Sequence, residues 1–250
     1  MSNHAAAGSV VREVYDGVAP KYAGLYEGPG PLPHFYQTRI RLVVDLLRDL
    51  PPGLVLDIGS GPGIVGDYVR RLGFRCVAAD ASVGMARECR QRTRTDAGRF
   101  VSAANATALP FDDGVFDVVM ALGVLEYVDE VERALTEFRR VLRPGGTLVV
   151  SLLNRASPYR RLRDLRRRLG LDLDPIPPVL FRRRDAERRL RATGFKVAQV
   201  RYFDMEMLPP GFADNHPRLA DRVANAWERA SGTPLFRWLA SAFLISASSV

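Results

Sequence analysis

Cysteine, histidine and lysine are scarce in this chain of 250 residues, and each shortage removes a class of explanation. The two cysteines, Cys76 and Cys89, are too few for a disulfide framework and have no zinc-site spacing. Cys76 falls in an apparent strand, where it reads as a small core residue. Isolated histidines such as His34 and His216 offer no cluster of ligands, and no metal is expected. No apolar run approaches the ~18 residues that a membrane span needs. The stretch Met1–Ala7 lacks the basic segment and long apolar core of a signal peptide, so a cytoplasmic protein is expected.

Lys21 and Lys196 are the only lysines, so nearly all the positive charge is arginine. That charge is unevenly placed. Residues 155–191 hold thirteen arginines against five acids, an excess of eight that equals the formal net charge of the whole chain. A general nucleic-acid binder shows a broader basic face, so no nucleic acid is expected and the patch calls for a local explanation.

What the chain does contain is a glycine-rich turn behind a short apolar run, Leu54-Val55-Leu56-Asp57-Ile58-Gly59-Ser60-Gly61-Pro62-Gly63. Val55, Leu56 and Ile58 suit a strand buried on both faces, as in a parallel sheet. A helix is predicted from Ile64 to about Leu72, stopped by Gly73. Strand, glycine turn and helix form a nucleotide site at the carboxyl end of an open α/β sheet. Gly61 to Gly66 satisfies the dinucleotide fingerprint, which leaves a nicotinamide dehydrogenase as one alternative. Asp57 argues against it, because a carboxylate there sits badly beside a pyrophosphate and well beside a cationic ligand. Arg75 to Asp80 reads as the second strand, ending in an acid placed to accept hydrogen bonds from ribose hydroxyls. Ser82 is placed to cap the next helix.

Further along stand Leu109-Pro110-Phe111, Phe116-Asp117-Val118-Val119 and Arg143-Pro144-Gly145-Gly146. With Asp57-x-Gly59-x-Gly61-x-Gly63 before them, these resemble in order and spacing the class I S-adenosylmethionine-dependent methyltransferases, in the small-molecule or quinone-type branch. The resemblance covers residues 10–154 well and the rest in outline. It implies a doubly wound α/β fold with a mostly parallel seven-stranded sheet, whose last strand is antiparallel and lies between the fifth and the sixth. Residues 1–50 would form a helical lid. Residues 51–250 would form the cofactor-binding domain, with acceptor-pocket insertions at about 155–184 and 205–235.

The cofactor implied is S-adenosylmethionine. Its site would include Asp57, Gly59, Ser60, Gly61 and Gly63 at the first turn. Asp80, Ala81 and Met85 would follow, with Met85 against the adenine. Asn105 stands where the family usually has an aspartate, and its side-chain carbonyl can still accept the adenine amino group. The backbone N–H of Ala106 faces a ring nitrogen, and Leu122 lies beside the methionine part. Tyr15 and Tyr22, in a Tyr-Asp…Ala…Tyr pattern, would fold over the cofactor, one of them near the sulfonium.

Glu126-Tyr127 stands where many relatives carry a histidine. The candidates for acid–base work are therefore Glu126, Tyr127, His34 and His216, with Glu126 best placed. Asp129 and Glu132 have capping-box spacing, and Asp185 is expected to cap a later helix. On a helix over 158–169, Tyr159, Leu162, Leu165 and Leu169 form one stripe among arginines. That helix would dock its stripe on the body as a lid, lie on an anionic membrane, or wall a phosphate-bearing acceptor. The reading is of methyl transfer to a small or lipid-like acceptor. The alternative outside the enzymes is a methyltransferase-fold binding protein that uses the basic insertion for a membrane or partner.

Overall fold

Apolar residues at alternate positions line both faces of the strands, so the chain builds a central sheet and covers each side with helices. The computed structural model describes residues 2–28, 31–92, 100–171, 176–204 and 237–250, with 216, 219–220, 222–223, 225–226 and 233. The second insertion, at 205–235, lies almost wholly outside them.

The strands are β1 (Leu54–Ile58), β2 (Arg75–Asp80), β3 (Phe100–Ala103), β4 (Phe116–Leu122), β5 (Leu142–Leu153), β6 (Phe195–Phe203) and β7 (Ala242–Ser249). Their order is β3-β2-β1-β4-β5-β7-β6. The first five are parallel neighbours, while β7 runs antiparallel to β5 and to β6. This is the predicted seven-stranded sheet with its last strand inserted between the fifth and the sixth.

The helices are α1 (Ser2–Tyr22), α2 (Pro31–Leu47), α3 (Ile64–Arg71), α4 (Val83–Arg92), α5 (Val131–Val141), α6 (Pro158–Arg168) and α7 (Arg183–Ala192). On one face Leu56, Val119, Val150 and Ile245 pack with Leu135 and Phe138 of α5 and Leu190 of α7. On the other, Val55, Met120, Val149 and Leu244 pack with Val43 and Leu47 of α2 and Val65 and Val69 of α3. The period of two along each strand divides the core between the two layers. A Cβ on Gly66 would meet the Cys76 sulfur at 3.2 Å, so this glycine lets α3 lie close on β2. Cys76 is buried and forms no disulfide, as its strand position suggested.

Several of the motifs that carry the resemblance also brace the frame. The Asp117 carboxylate accepts the Leu54 N–H at 2.6 Å and pairs with Arg143 at 2.7 Å, tying the starts of β1, β4 and β5 together. Arg140 donates to the carbonyls of Leu109 and Phe111 and pairs with Asp113, fixing the loop before β4.

Some local expectations are corrected. Helix α2 begins at Pro31, inside the stretch read as a break, because proline in a first turn forfeits only an N–H that has no helical partner. Glu130, not Asp129, takes the cap position of α5, without a side-chain bond of its own, and Glu132 pairs with Arg189. Asp185 lies inside the first turn of α7 and pairs with Arg188. The cap of α4 forms as read, the Ser82 hydroxyl accepting the Met85 N–H at 3.0 Å.

Candidate active site

Gly59, Gly61 and Gly63 all take positive φ (65°, 53° and 80°), which folds the turn after β1 back on itself. This brings the Gly59 N–H to the Ala79 carbonyl at 2.7 Å and the Gly61 N–H to an Asp80 oxygen at 2.8 Å. The other Asp80 oxygen accepts the Ser82 N–H at 2.9 Å. Burial pushes the Asp80 carboxyl above its ordinary range, and these two N–H groups oppose that. Asp57 is buried just before the turn, and Ser60 is buried with its hydroxyl oxygen lacking a hydrogen-bond partner. Met85 is buried under the same loop: a Cβ on Gly61 would touch its sulfur at 4.0 Å and the Tyr22 ring at 3.7 Å. Ala81 is exposed beside Asp80. Ala106 is buried, while Asn105 is exposed and its side-chain oxygen accepts the Thr107 N–H and hydroxyl at 3.1 and 3.2 Å.

The amino-terminal helix is latched over this region by a contact the sequence reading missed. One Asp16 oxygen accepts the Ser82 hydroxyl at 2.5 Å and the Gly84 N–H at 2.7 Å, at the amino end of α4. The Ser82 bond first, then the Gly84 N–H, hold the Asp16 carboxyl below its ordinary range. The latch sets Tyr15 and Tyr22 against the site, their ring centres 6.0 Å apart.

Past the turn lies a cavity of about 200 Å³ under the carboxyl ends of β4 and β5. Tyr15, Tyr22, Tyr36, Arg39, Glu126 and Tyr127 are in its wall, with Leu122 and Gly123 beneath and Arg160 and Arg163 of α6 above. Tyr15 meets Tyr127 edge-on at 5.8 Å, and the Tyr22 and Tyr36 hydroxyls lie 3.1 Å apart. Glu126 is 2% exposed; one oxygen accepts the Leu153 N–H at 2.9 Å and the other has no hydrogen-bond partner. Burial raises its pKa from 4.5 to about 7, against the opposing pull of its backbone hydrogen bonds and of Arg39 and Arg160.

Arg39 is the second residue that sequence reading passed over. Its guanidinium is buried, donates to the Leu122 carbonyl at 3.2 Å and to the Tyr26 hydroxyl at 3.4 Å, and stacks over Phe35 and Tyr36 at 5.5 and 5.0 Å. Its Nε has no partner. The available signal was spacing: Arg39 falls on the buried stripe of α2 formed by Tyr36, Ile40, Val43 and Leu47, where a charge without a task is costly.

His34 does not share this wall. It lines a second cavity with Gln37, Ile40, Arg41 and Tyr68, so the geometry gathers Glu126 and Tyr127 and leaves His34 elsewhere. His216 is exposed. Among the described residues no group of His, Cys, Asp and Glu could hold a metal ion, and no helix is long and apolar enough to cross a membrane.

Comparison with known proteins bears on this geometry. The sequence model of a methyltransferase domain matches residues 56–150, from β1 to β5. The chain is 40% identical over 143 residues to a demethylmenaquinone methyltransferase of Renibacterium salmoninarum, which covers 56% of this chain and 57% of that protein. It thus spans little more than half the length of this relative. Among solved structures, magnesium protoporphyrin IX methyltransferase from Synechocystis PCC 6803 superposes with a TM-score of 0.69 at 16% identity, over 98% of this chain and 100% of that one. The [4+2]-cyclase SpnF superposes with a TM-score of 0.67 at 22% identity, over 96% and 94%. These structural likenesses speak for the fold, and the dehydrogenase alternative gains no support from any of these matches. Residues 56–150 are accordingly similar to a methyltransferase domain, and the chain shares its fold with the proteins named above.

Proposed function

We propose that this chain transfers a methyl group from S-adenosylmethionine to a small, lipid-like acceptor with an ionisable proton. The observation that carries the reading is the pairing in one cavity of a buried Glu126, one oxygen unpartnered, with a buried Arg39, its Nε unpartnered, beside the positive-φ glycine turn.

The residues fit the cofactor. The buried hydroxyl of Ser60 and the Nε of Arg39 each await a partner, and the glycine turn has no Cβ to fill its cradle. When bound, S-adenosylmethionine supplies a methyl group on a sulfonium, an electrophile that needs an aligned nucleophile and little else. Asp57 suits the ammonium, Arg39 the carboxylate and Asp80 the ribose hydroxyls. Met85, Asn105 and Ala106 suit the adenine. Leu122, Tyr15 and Tyr22 enclose the methionine part and exclude water. Glu126, ionised, takes the acceptor's proton on its unpartnered oxygen, and Tyr127 orients the acceptor beside it.

The name of the Renibacterium salmoninarum relative supports a quinone-type acceptor, and the tyrosine-lined wall suits a flat ring. A peripheral contact of residues 158–169 with an anionic membrane belongs to the same reading, since an apolar acceptor resides in lipid.

The test is transfer of radiolabelled methyl from S-adenosylmethionine into an extract of the host cell, then split into organic and aqueous phases. The expected result is label in the organic phase. Label in macromolecules, or cofactor binding with no label anywhere, would overturn the reading, the second outcome in favour of a binding protein.

A further inference from the structure

Helix α6 is mounted opposite to the way a lid would be. A lid helix would press its leucine stripe on the body and leave its arginines to water. In the structure Leu162, Leu165 and Leu169 are 56%, 52% and 64% exposed, and no residue of the helix is buried. The residues turned inward are polar: Arg160 and Arg163 line the cavity wall, and Asp164 is partly covered while pairing with Arg167. Of the three readings of this helix, the exposed leucines go against the lid that docks its stripe on the body.

The mounting is firm. At the amino end of α6 the Ser157 hydroxyl donates to the Leu239 carbonyl at 3.2 Å, and Arg160 donates to the Ser241 hydroxyl at 3.3 Å. Just before it, the Asn154 amide donates to the Ala240 carbonyl at 2.8 Å. The outward leucines are flanked by exposed Arg161, Arg166 and Arg168, and exposed Leu171 continues the stripe. Trp238 is also exposed, next to the Leu239 that anchors the first turn.

We propose that the outward face of α6 docks on an anionic lipid bilayer, leucines in the acyl boundary and arginines at the headgroups, with the cavity mouth held at the lipid surface. Charge complementarity selects this occupant. A second copy of the chain would bring one strongly basic segment against another, which repels. A nucleic acid would leave the leucine row without an apolar partner. An interfacial helix has an apolar stripe flanked by cations, and both are present; aromatics are enriched at such interfaces, and Trp238 is exposed next in sequence to Leu239. The acceptor would then pass from the bilayer along Arg160 and Arg163 to Glu126. This route rests on the proposed lipid-like acceptor; the docking itself does not.

The experiment is co-sedimentation of the full chain with large unilamellar vesicles of phosphatidylglycerol and phosphatidylcholine in equal parts, or of phosphatidylcholine alone, without cofactor or acceptor. The chain is expected to sediment with the anionic vesicles and stay in solution with the neutral ones. Leu162→Ser/Leu165→Ser/Leu169→Ser should weaken binding roughly a hundredfold. Arg161→Gln/Arg166→Gln/Arg168→Gln should weaken it by a similar factor and flatten its dependence on salt. Circular dichroism checks that both variants stay folded, as changes at exposed positions should allow. Wild-type chain left in solution with anionic vesicles overturns the proposal. Equal binding by the serine variant also overturns it, since the arginines alone would then account for the effect. A change in wild-type oligomeric mass that the serine variant abolishes, with no vesicle binding, would assign the face to a second copy. Vesicle docking, together with no label in the methyl-transfer test, would overturn the proposed function and leave the surface standing.

Discussion

Glu126 shows how one carboxyl links chemistry to stability. Its pKa rises from 4.5 to about 7 because burial disfavours the ion. The folded chain therefore binds this proton more tightly than the unfolded chain, so its contribution to stability is greatest below about pH 4.5 and is lost as pH rises through about 7. Methyl transfer should run the other way, with kcat/KM rising toward a plateau above about pH 7, as the base ionises. Glu126→Gln should lower kcat about a hundredfold or more. It should also remove that loss of stability, up to about 3 kcal/mol, when unfolding in urea is compared at acid and mildly alkaline pH. Loss of activity without a change in the pH dependence of stability would mean that Glu126 is not the buried titrating group. The glycines separate in the same way. A Cβ on Gly59 would lie 2.4 Å from a Val124 methyl, on top of the strain of φ 65°, whereas one on Gly61 would meet nothing nearer than 3.7 Å. Gly59→Ala should therefore lower the melting temperature clearly more than Gly61→Ala, for which strain of roughly 1–2 kcal/mol is the main penalty. Differential scanning calorimetry reads the difference, and equal shifts would refute the steric argument.

Elements place groups that no local pattern pairs. Helix α2 carries Arg39 from one layer to the end of β4, and α1 reaches the amino end of α4 through Asp16. A buried cation without a carboxylate partner weakens a fold and suits an anionic ligand. Arg39→Met should leave the melting temperature unchanged or raise it, and weaken S-adenosylmethionine binding at least about tenfold by isothermal titration. A large drop in melting temperature with binding intact would make Arg39 a structural residue. The elements themselves were largely legible. The ends of β1 and β2, the glycine stop after α3 and the Ser82 cap follow from runs of apolar residues and from punctuation by glycine and serine. The cap of α5 was misread because Asp129 and Glu132 have suitable spacing, while the chain enters that helix one residue later.

At the scale of the whole molecule, a site spread over the glycine turn, β2, α1 and α2 exists only when these parts are assembled. A ligand that binds the folded chain alone stabilises it by mass action, by about 2.7 kcal/mol at a hundred times its dissociation constant. S-adenosylmethionine at such excess should raise the melting temperature by roughly 5–10 °C in a chain of this size, and NAD should leave it unchanged. A thermal shift with NAD and none with S-adenosylmethionine would reverse the choice made at Asp57.

Sequence alone determined the parallel sheet, its glycine turn and the similarity to a methyltransferase domain, because these depend on short-range constraints. Strand burial needs apolar runs, the turn needs residues that tolerate positive φ, and the helix ends need caps, so each leaves a mark within a few residues. Tertiary structure alone decided which charges are buried and which apolar faces stay outside. Arg39 looked like any helical arginine until β4 lay against it, and only the fold separates His34 from the cavity that holds Glu126. The leucines of α6 left three readings open, and the anchors at Ser157 and Arg160 set them outward. Burial is set by contacts distant in sequence, and an amphipathic pattern gives two faces without saying which one meets the protein.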